Sequence, residues 1–303
     1  MPVRPVRRLD LPSESSLYEE MASQALHALY FRRDIEAVER EHPELILTAG
    51  ENVLLAHPGG YTAKLAYSFE SDRMFTELFP PMLEKLLPRV RKALRADTVR
   101  FRLTHAPSRP LVEPVLKRLY FAPRRDWLRF DIDRGDASKP AALAGVKFRA
   151  GTPDDAEAIA EIDRASFPDT PLPLAAMRME LTNGEREFLV ALRGKRMVGY
   201  CSFALPDSGF GYIHDIAVAP DERGRGIGGA LTLRALKRLF GDGAESAALT
   251  TDDANSNAIR LYRALGFRQT EAGRDYERPA DPKAIAKIAK QTQGTLVKFG
   301  GWR

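Results

Sequence analysis

The pattern of hydrophobic and polar positions in the C-terminal half predicts strands and helices in a regular order. Residues 146–150 are predicted as a strand, and Thr152 opens a helix as its N-cap, with a proline and two carboxylates in the first turn. Two apolar runs that flank Arg193-Gly194 are typical of a hairpin. The pattern then predicts a strand over 211–218, a helix over 227–240, a strand over 247–251, a helix over 255–265 and a strand from Phe267 onward.

The N-terminal half repeats parts of this pattern. Three pairs of short segments match at similar offsets: 55–59 with 190–194 at 135, 67–69 with 200–203 at 134, and 119–121 with 265–267 at 146. Phe69 and Phe121 lie 52 residues apart, whereas Phe203 and Phe267 lie 64 apart. We therefore expect the same fold twice, with the first copy twelve residues shorter in this interval.

The length and the middle of the chain agree with two domains. The chain has 303 residues, and domains have about 150 residues each as a rule of thumb. Residues 133–140 are polar and rich in turn formers, which is typical of a linker. We expect a first domain at 1–140, a second at 141–280, and a C-terminal extension at 281–303 that could pack on the first domain.

Composition and charge exclude several classes of protein. The longest uncharged segment, 52–63, is too short to span a bilayer, and the first ten residues lack the apolar run of a secretory signal. Cys201 is the single cysteine and is expected in the core, so a disulfide-rich or cysteine-metal protein is excluded and a cytoplasmic location is expected. The net charge is +5, and residues 85–130 hold thirteen Lys and Arg against three Asp and Glu. We interpret this stretch as a solvated face, with docking of nucleic acid as the less favoured alternative.

A glycine-rich segment lies between the predicted strand 211–218 and the predicted helix 227–240. It reads Arg223-Gly-Arg-Gly-Ile-Gly-Gly229. Glycines allow backbone N–H groups to close on an anion, and a helix N-terminus adds unpaired donors and a positive dipole end. The segment carries neither the full dinucleotide fingerprint with its acidic ribose ligand nor the Gly-Lys-Ser/Thr of a P-loop. It therefore predicts a pyrophosphate cradle.

A second motif makes this prediction more specific. Residues 255–267, about 30 positions downstream, read Asn-Ser-Asn-Ala-Ile-Arg-Leu-Tyr-Arg-Ala-Leu-Gly-Phe. The two motifs together resemble the signature of the GNAT family of acyl-CoA-dependent N-acyltransferases, and the resemblance covers residues 146–280. It implies an α/β (α+β) fold, a mixed and mainly antiparallel sheet flanked by helices. The sheet would be splayed between the strand ending at Val218 and the strand 247–251, with acetyl-CoA as co-substrate in the opening.

The resemblance also implies which residues hold acetyl-CoA. The pantetheine arm would pair with the backbone of Ile216 and Val218 like an added strand, and the pyrophosphate would lie on the amides of the glycine turn. Asn255 would contact the pantetheine or act as an ordinary N-cap of its helix. The predicted cofactor-binding residues are Ile216, Val218, Arg223, Gly224, Arg225, Gly226, Gly228, Gly229 and Asn255.

The implied chemistry is direct acyl transfer. A neutral amine attacks the thioester carbonyl through a tetrahedral intermediate, and a backbone N–H near Val218 stabilises the oxyanion. Tyr262 occupies the position from which the family supplies the proton of the leaving thiolate; the alternative is a core aromatic residue. No spacing typical of metal ligands is present.

His214 is the candidate general base, because its unperturbed pKa is near 6.5. Strand alternation is expected to place Tyr212, His214, Ile216 and Val218 on one face and Asp215 on the other. A structural histidine is equally compatible with the sequence. The other candidates for the base are Asp215, Asp252 and Asp253.

The first half lacks the residues that carry this chemistry. At the offset of 146, Leu116 replaces Tyr262, Arg109 replaces Asn255 and Pro80 replaces Gly226. Proline has no backbone N–H to donate, so we expect a degenerate first copy without cofactor. The arrangement resembles tandem members of the family, mycothiol synthases among them, in which the C-terminal half is active.

The sequence therefore predicts an acetyl-CoA-dependent N-acetyltransferase that is built from two tandem GNAT folds. Its acceptor would be a primary amine of a small metabolite, an antibiotic or a peptide, which the sequence does not distinguish. The alternative is a non-catalytic acyl-CoA-binding or interaction module. The intact glycine turn together with Tyr262 favours the enzyme.

Overall fold

A computed structural model gives the fold of the chain. It describes residues 4–5, 17, 21, 26–28, 32–59, 62–104, 110–138, 142–168, 172–184, 186–205 and 210–298. The chain forms two compact units. The first comprises Met1–Trp127 and Ala272–Arg303, and the second comprises Leu128–Glu271.

Both units combine a β-sheet with helices. The strands are β1 (Arg4–Pro5), β2 (Leu26–Ala28), β3 (Ile46–Ala49), β4 (Asn52–His57), β5 (Thr62–Phe69), β6 (Thr98–Thr104), β7 (Ala122–Asp133), β8 (Lys147–Ala150), β9 (Glu187–Arg193), β10 (Arg196–Ala204), β11 (Phe210–Val218), β12 (Ser246–Asp252) and β13 (Arg268–Pro279). The α-helices are α1 (Arg32–Glu41), α2 (Asp72–Leu94), α3 (Val112–Arg118), α4 (Ala156–Ser166), α5 (Leu174–Asn183), α6 (Ile227–Gly241), α7 (Ser256–Ala264) and α8 (Pro282–Lys298).

In the first unit the strand order is β1-β3-β4-β5-β6-β13, with β2 beside β5. β3, β4 and β5 are antiparallel neighbours, whereas β5 and β6 are parallel. Every second residue of β6 from Val99 to Leu103 is buried, as expected for a strand with one face on the core. The aromatic side chains of this core pack on one another: Tyr67, Phe69, Phe75, Phe79, Phe101 and Phe121.

Strand β13 begins in the second unit and ends in the first, where it pairs antiparallel with β6 from Gly273 to Pro279. Its buried Asp275 accepts hydrogen bonds from Arg102 at 2.9 Å and from Arg125 at 3.2 Å. Burial by itself raises the pKa of Asp275, but the neighbouring guanidinium groups lower it below the ordinary value. The ionised carboxylate therefore ties the C-terminal strand to the sheet of the first unit.

In the second unit the strand order is β7-β12-β11-β10-β9-β8. β8 to β11 are antiparallel, whereas β11 and β12 are parallel. One face of the sheet packs on α6, with Ile213, Phe203 and Leu236 in its core. Residues of the other face, including Ala217 and Tyr200, pack with the buried residues of α4 and α5. Cys201 is buried on the α6 face, as expected, and burial raises the pKa of its thiol.

The start of the first helical segment of the second unit follows the prediction. Thr152 and Asp155 form a capping box around a short 3₁₀ turn that leads into α4. Arg149 donates two hydrogen bonds to Asp155, at 2.6 and 2.8 Å. The hydrogen bonds from Arg149 and Thr152 hold the pKa of Asp155 below its ordinary value.

The two units repeat the same order of strands and helices, as predicted, but the internal alignment of the copies is corrected. β5 and β11 are equivalent, because each pairs parallel with the next strand and precedes a long helix. Phe69 therefore corresponds to Val218 at the end of β11, and not to Phe203 on β10. Short apolar strands resemble one another, and the sequence matches of 55–59 and 67–69 were displaced by one strand.

With this alignment the first copy is not shortened. Phe69 and Phe121 are 52 residues apart, and Val218 and Phe267 are 49 apart. What differs is the strand–helix connection, which has two residues in the first unit, 70–71, and eight in the second, 219–226. The longer helix compensates, since α2 has 23 residues and α6 has 15.

The unit boundaries also differ from the domain limits expected at 140 and 280. Residues 128–140 lie in the second unit and 272–280 in the first, because β7 and β13 each run from one unit into the other. Asp281, at the start of the expected extension, lies 3.5 Å from Arg91 of α2. No helix of the described residues is long and apolar enough to cross a membrane.

Candidate functional site

The two parallel strands at the centre of the second unit separate part-way along their length. β11 and β12 are in register only at Phe210–Tyr212 and Ser246–Ala248. β11 continues to Val218 and β12 continues to Asp252 beyond this point. Among the described residues no strand pairs with β11 on this side beyond Tyr212, so the backbone edge that contains Ile216 and Val218 borders an opening at the position where the sequence predicted a splay.

The turn after β11 presents backbone amides at the start of α6. A 3₁₀ turn at Pro220–Glu222 leads into Gly224 and Gly226, which have φ values of +77° and +79°. Only glycine adopts this left-handed region without strain. Gly226 is the N-cap, and its carbonyl accepts from the N–H of Ala230 at 3.0 Å. The N–H groups of residues 227–229 precede this bond and have no intrahelical acceptor, as in every helix N-terminus.

The two arginines of the turn differ in their side-chain contacts. Arg223 donates to the carbonyl of Val218 at 3.0 Å and to Ser166 at 3.1 Å. Its own amide donates to Pro220, with a long distance of 3.5 Å. Arg225 is exposed and lies 3.6 Å from Glu222. Arg223 therefore fixes the end of β11, and the exposed Arg225 adds positive charge beside the turn.

Two ion pairs hold the turn against the hairpin of β9 and β10. Glu222 is 5% exposed and accepts two hydrogen bonds from Arg193, at 3.0 and 3.1 Å. Asp221 accepts two from Arg196, at 2.6 and 2.8 Å. Both arginines flank the hairpin between β9 and β10. The sequence carries no local signal for these pairs, because the partners are 25 and 29 residues apart.

Asn255 caps α7. Its side chain accepts a hydrogen bond from the N–H of Ala258 at 3.2 Å. The N-cap interpretation is therefore confirmed, and the predicted contact with pantetheine remains a prediction.

Tyr262 lies on α7 and is largely buried. Its ring packs against Phe130 and Phe267, with ring centroids 5.9 and 5.8 Å away. Within the described part of the chain its hydroxyl makes no hydrogen bond, and burial raises the pKa of the phenol above its ordinary value. A phenol in this state is protonated at neutral pH and has a proton to donate.

A β-bulge changes the faces of β11. Ser202 pairs with Asp215 and Phe203 pairs with Ile213, so His214 is the extra residue. Paired residues share a face, which puts Asp215 on the same face as Tyr212. The predicted alternation is therefore wrong for Tyr212 and Asp215, and a bulge leaves no signal in the hydrophobic pattern.

His214 remains next to Tyr212, with ring centroids 5.0 Å apart in an edge-to-face arrangement. The hydroxyl of Tyr212 is 2.8 Å from that of Thr250 on β12. This pair joins the two strands close to where their register ends. His214 thus lies on the part of β11 that continues beyond its register with β12.

The face of β10 and β11 opposite α6 carries polar groups that no sequence motif marks. Ser202 donates to Asp215 at 2.8 Å, and Arg186 lies 3.5 Å from Asp215 and 3.3 Å from Glu180. Arg186 is only 23% exposed, so these charges are partly shielded from water. Ser202 and Asp215 lie on β10 and β11, Glu180 lies on α5 and Arg186 precedes β9, so no local spacing connects them.

A second polar pair on this face is fully buried. Tyr200 donates to Asp163 at 2.5 Å, and the N–H of Leu172 donates to the same carboxylate at 2.8 Å. The signal in the sequence is an acidic residue at an inward position of α4, four residues after Ile159. Among the described residues no group of three or more His, Cys, Asp or Glu is placed to hold a metal ion.

Comparison with known proteins places this site in a family context. Residues 156–267 match the profile of the acetyltransferase (GNAT) family. A protein named mycothiol acetyltransferase from Thermobispora bispora is 32% identical over 142 residues, which cover 42% of this chain and 48% of the relative. One of the same name from Sanguibacter keddieii is 36% identical over 163 residues, covering 48% and 52%. The matches thus span about half the length of these relatives.

Solved structures show the same fold over most of the chain. A GCN5-related N-acetyltransferase from Sphaerobacter thermophilus has a TM-score of 0.63 and 21% identity, covering 82% of this chain and 86% of its own. A tandem GNAT protein from the clavulanic acid biosynthesis pathway also has a TM-score of 0.63, at 16% identity, covering 87% and 94%. At these identities the likeness concerns the fold alone.

Proposed function

We propose that the second unit, whose residues 156–267 match the acetyltransferase (GNAT) family, transfers an acetyl group from acetyl-CoA to a primary amine. The observation that carries the proposal is the opening between β11 and β12, which ends at a left-handed glycine turn and a helix N-terminus. This combination offers a strand edge that no described strand pairs with, which suits an amide-containing arm, and amide donors for a pyrophosphate.

Among the described residues, the space beside the two glycines of the turn is open. A Cβ added at Gly224 meets no atom within 4 Å, and one at Gly226 meets only Leu143, at 3.7 Å. We propose that the amides of the turn and of residues 227–229 hold the pyrophosphate, with Arg225 adding positive charge. Ile216 and Val218 would pair with the pantetheine arm, and Asn255 would contact it through the part of its amide that does not cap α7.

Bound acetyl-CoA supplies a thioester whose carbonyl the amine attacks directly. A backbone N–H near Val218 stabilises the charge that develops on the carbonyl oxygen. Tyr262, whose buried phenol is protonated at neutral pH, donates a proton to the leaving thiolate. Burial raises its pKa and so makes it a weaker acid than a free phenol, and this role therefore rests on its position and not on its acidity. The acceptor must arrive as a neutral amine, and a general base removes the proton that makes it an ammonium ion.

We propose His214 as that base, with Asp215 as the second candidate. His214 has the unperturbed pKa closest to neutral pH, and it lies beside Tyr212 at the bulge. Asp215 is favoured by a separate observation, since the bulge places it on the face of Tyr212, where Ser202 donates to it. Asp252 is the last residue of β12 and Asp253 follows it; both are less favoured candidates for the base.

A pH–rate profile distinguishes the two candidates. If His214 is the base, His214→Gln loses the activity that rises through neutral pH, while Asp215→Asn keeps the shape of the profile. If Asp215 is the base, the outcome is reversed. Two unchanged profiles would exclude both residues.

The acceptor is proposed to be a small molecule with a primary amine. Relatives over about half their length are named mycothiol acetyltransferases, which supports a small thiol-containing amine as the first compound to test. The experiment is to measure release of CoA from acetyl-CoA with a panel of thiol-containing amines, amino sugars, aminoglycosides, polyamines and peptide N-termini. Acceptor-dependent release supports the proposal. Tight binding of acetyl-CoA without turnover of any amine would favour a non-catalytic binding module.

A further inference from the structure

The first unit also has two parallel strands that separate. β5 and β6 are in register over Thr62–Leu65 and Thr98–Phe101. β5 then continues to Phe69, and β6 continues to Thr104. The first unit therefore contains an opening equivalent to the one between β11 and β12.

In the first unit this opening is already occupied by the chain. Strand β2 pairs antiparallel with β5, with Leu26 opposite Phe69, His27 opposite Ser68 and Ala28 opposite Tyr67. These partners on β5 are the residues beyond the parallel register with β6. Backbone groups left unpaired inside a protein are costly, and β2 satisfies those of this edge.

The side chains at the bottom of the opening fill the remaining space. Tyr67 donates to the carbonyl of Arg102 at 2.8 Å, which bridges β5 and β6. Its ring stacks on Phe101, with centroids 4.5 Å apart and an interplanar angle of 8°. Phe69 and Phe75 pack edge to face beside this pair. An acyl-CoA arm would need to displace a strand and an aromatic core.

The strand–helix turn of the first unit is also unsuited to a pyrophosphate. Its two residues are Glu70 and Ser71, and Ser71 caps α2 by accepting from the N–H of Met74 at 3.2 Å. Asn52 donates to the carboxylate of Glu70 at 2.8 Å and accepts from its N–H at 3.0 Å. An acidic residue held at the turn repels an anion, in contrast to Arg225 and the glycines of the second unit.

The first unit also lacks a proton donor at the position equivalent to Tyr262. The N–H of Phe121 donates to the carbonyl of Leu116 at 2.9 Å, and the N–H of Phe267 donates to that of Tyr262 at 3.0 Å. Leu116 and Tyr262 are therefore equivalent, as the offset of 146 predicted. A fully buried leucine takes the place of the phenol in the first unit.

We propose that Leu26–Ala28 is a built-in occupant of the first cleft. It takes the place that the pantetheine arm is proposed to take in the second unit, so that each chain binds one acyl-CoA. The comparison with pantetheine and the stoichiometry rest on the proposed function, whereas the pairing of β2 with β5 does not. The cleft of the first unit is thus a strand-binding groove whose ligand is a segment of the same chain.

The test combines binding stoichiometry with amide hydrogen exchange on the full-length chain. Titration calorimetry with acetyl-CoA is expected to give one site per chain. The double variant His27→Pro/Ala28→Pro removes two consecutive N–H groups, one of which points toward β5. Exchange in residues 66–69 should accelerate at least tenfold in this variant, and it should not change in His27→Ala, which keeps both N–H groups.

A cross-link tests the pairing if the proline variant does not fold. His27→Cys/Ser68→Cys joins directly opposite residues of β2 and β5, and it should oxidise to a disulfide while acetyl-CoA stoichiometry and affinity stay unchanged. Two acetyl-CoA sites per wild-type chain, unaltered exchange in a folded proline variant, or no disulfide would overturn the proposal. Intact protection of β5 with no acetyl-CoA binding at all would refute the proposed function and leave the pairing of β2 standing.

Discussion

Removing the hydroxyl of Tyr262 tests the proposed proton donor with little change to the fold. The ring packs against Phe130 and Phe267, and Tyr262→Phe retains both contacts. The hydroxyl makes no hydrogen bond among the described residues, so its loss leaves no buried partner unsatisfied. We therefore expect the free energy of unfolding of the second unit to be unchanged and its affinity for acetyl-CoA to remain within about twofold of the wild type.

The effect should appear in turnover. A positioned general acid contributes about 10²–10⁴ in rate, and about 1.4 kcal/mol corresponds to each factor of ten. Tyr262→Phe should therefore lower kcat by about 10²-fold or more, which is about 3–5 kcal/mol of transition-state stabilisation. Initial rates of CoA release at saturating acetyl-CoA and acceptor measure kcat, and calorimetry measures the affinity.

Tyr67→Phe is the matched control for this experiment. Tyr67 lies in the first unit, and its hydroxyl donates to the carbonyl of Arg102. The control should lower the free energy of unfolding by about 1–3 kcal/mol, because the carbonyl loses its partner, and it should leave kcat unchanged. A kcat for Tyr262→Phe within threefold of the wild type would refute the role of Tyr262.

Three further predictions follow from particular residues. Gly228→Glu should weaken acetyl-CoA binding at least 100-fold as measured by calorimetry. A Cβ at position 228 points between Leu261 and Val218, 3.6 and 3.8 Å away, and the new carboxylate repels the pyrophosphate. The control Gly241→Glu, at the other end of α6, should leave the affinity unchanged. Burial, with the charge of Lys64, lowers the pKa of His57 from 6.5 to about 3. The contribution of neutral His57 to the free energy of unfolding is therefore complete above pH 6.5 and decreases at lower pH, by about 2 kcal/mol at pH 5. Urea unfolding should show that His57→Gln removes this loss. The hydrogen bonds from Arg149 and Thr152 lower the pKa of Asp155, so its contribution is present above about pH 4 and is lost as pH falls through the folded value. Asp155→Asn should lower Tm at pH 5, and the difference from the wild type should shrink at pH 3.

Features that depend on a few neighbouring residues were predictable from the sequence. The glycine turn is one example, since positive φ values at Gly224 and Gly226 require that residue type. The start of α4 is another, because Thr152 and Asp155 are only three residues apart. The cap formed by Asn255 and the position of Tyr262 on α7 followed in the same way.

Features that depend on pairing between distant segments were not predictable. The bulge at His214 moves Asp215 to the face of Tyr212, although the hydrophobic pattern of the strand is unchanged. The polar contacts of Asp215 with Ser202 and Arg186 join residues 13 and 29 positions apart. The short strand Leu26–Ala28 carries no signal for its partner, and its place beside β5 is set by an edge that only the fold creates.

The same limit explains the misaligned repeat and the shifted boundaries. Apolar strands of four to nine residues look alike, so a match between two of them does not fix which strands are equivalent. The unit boundaries fall inside β7 and β13 because of how these strands pair in the sheet, and local composition does not encode that pairing.

The most direct test of the central claim is an amide hydrogen-exchange footprint of acetyl-CoA on the full-length chain. The account predicts slower exchange in residues 213–218 and 223–230 of the second unit when acetyl-CoA binds, with no change in residues 66–71 of the first. Protection of residues 66–71, or no protection of the glycine turn under conditions of saturated binding, would contradict it.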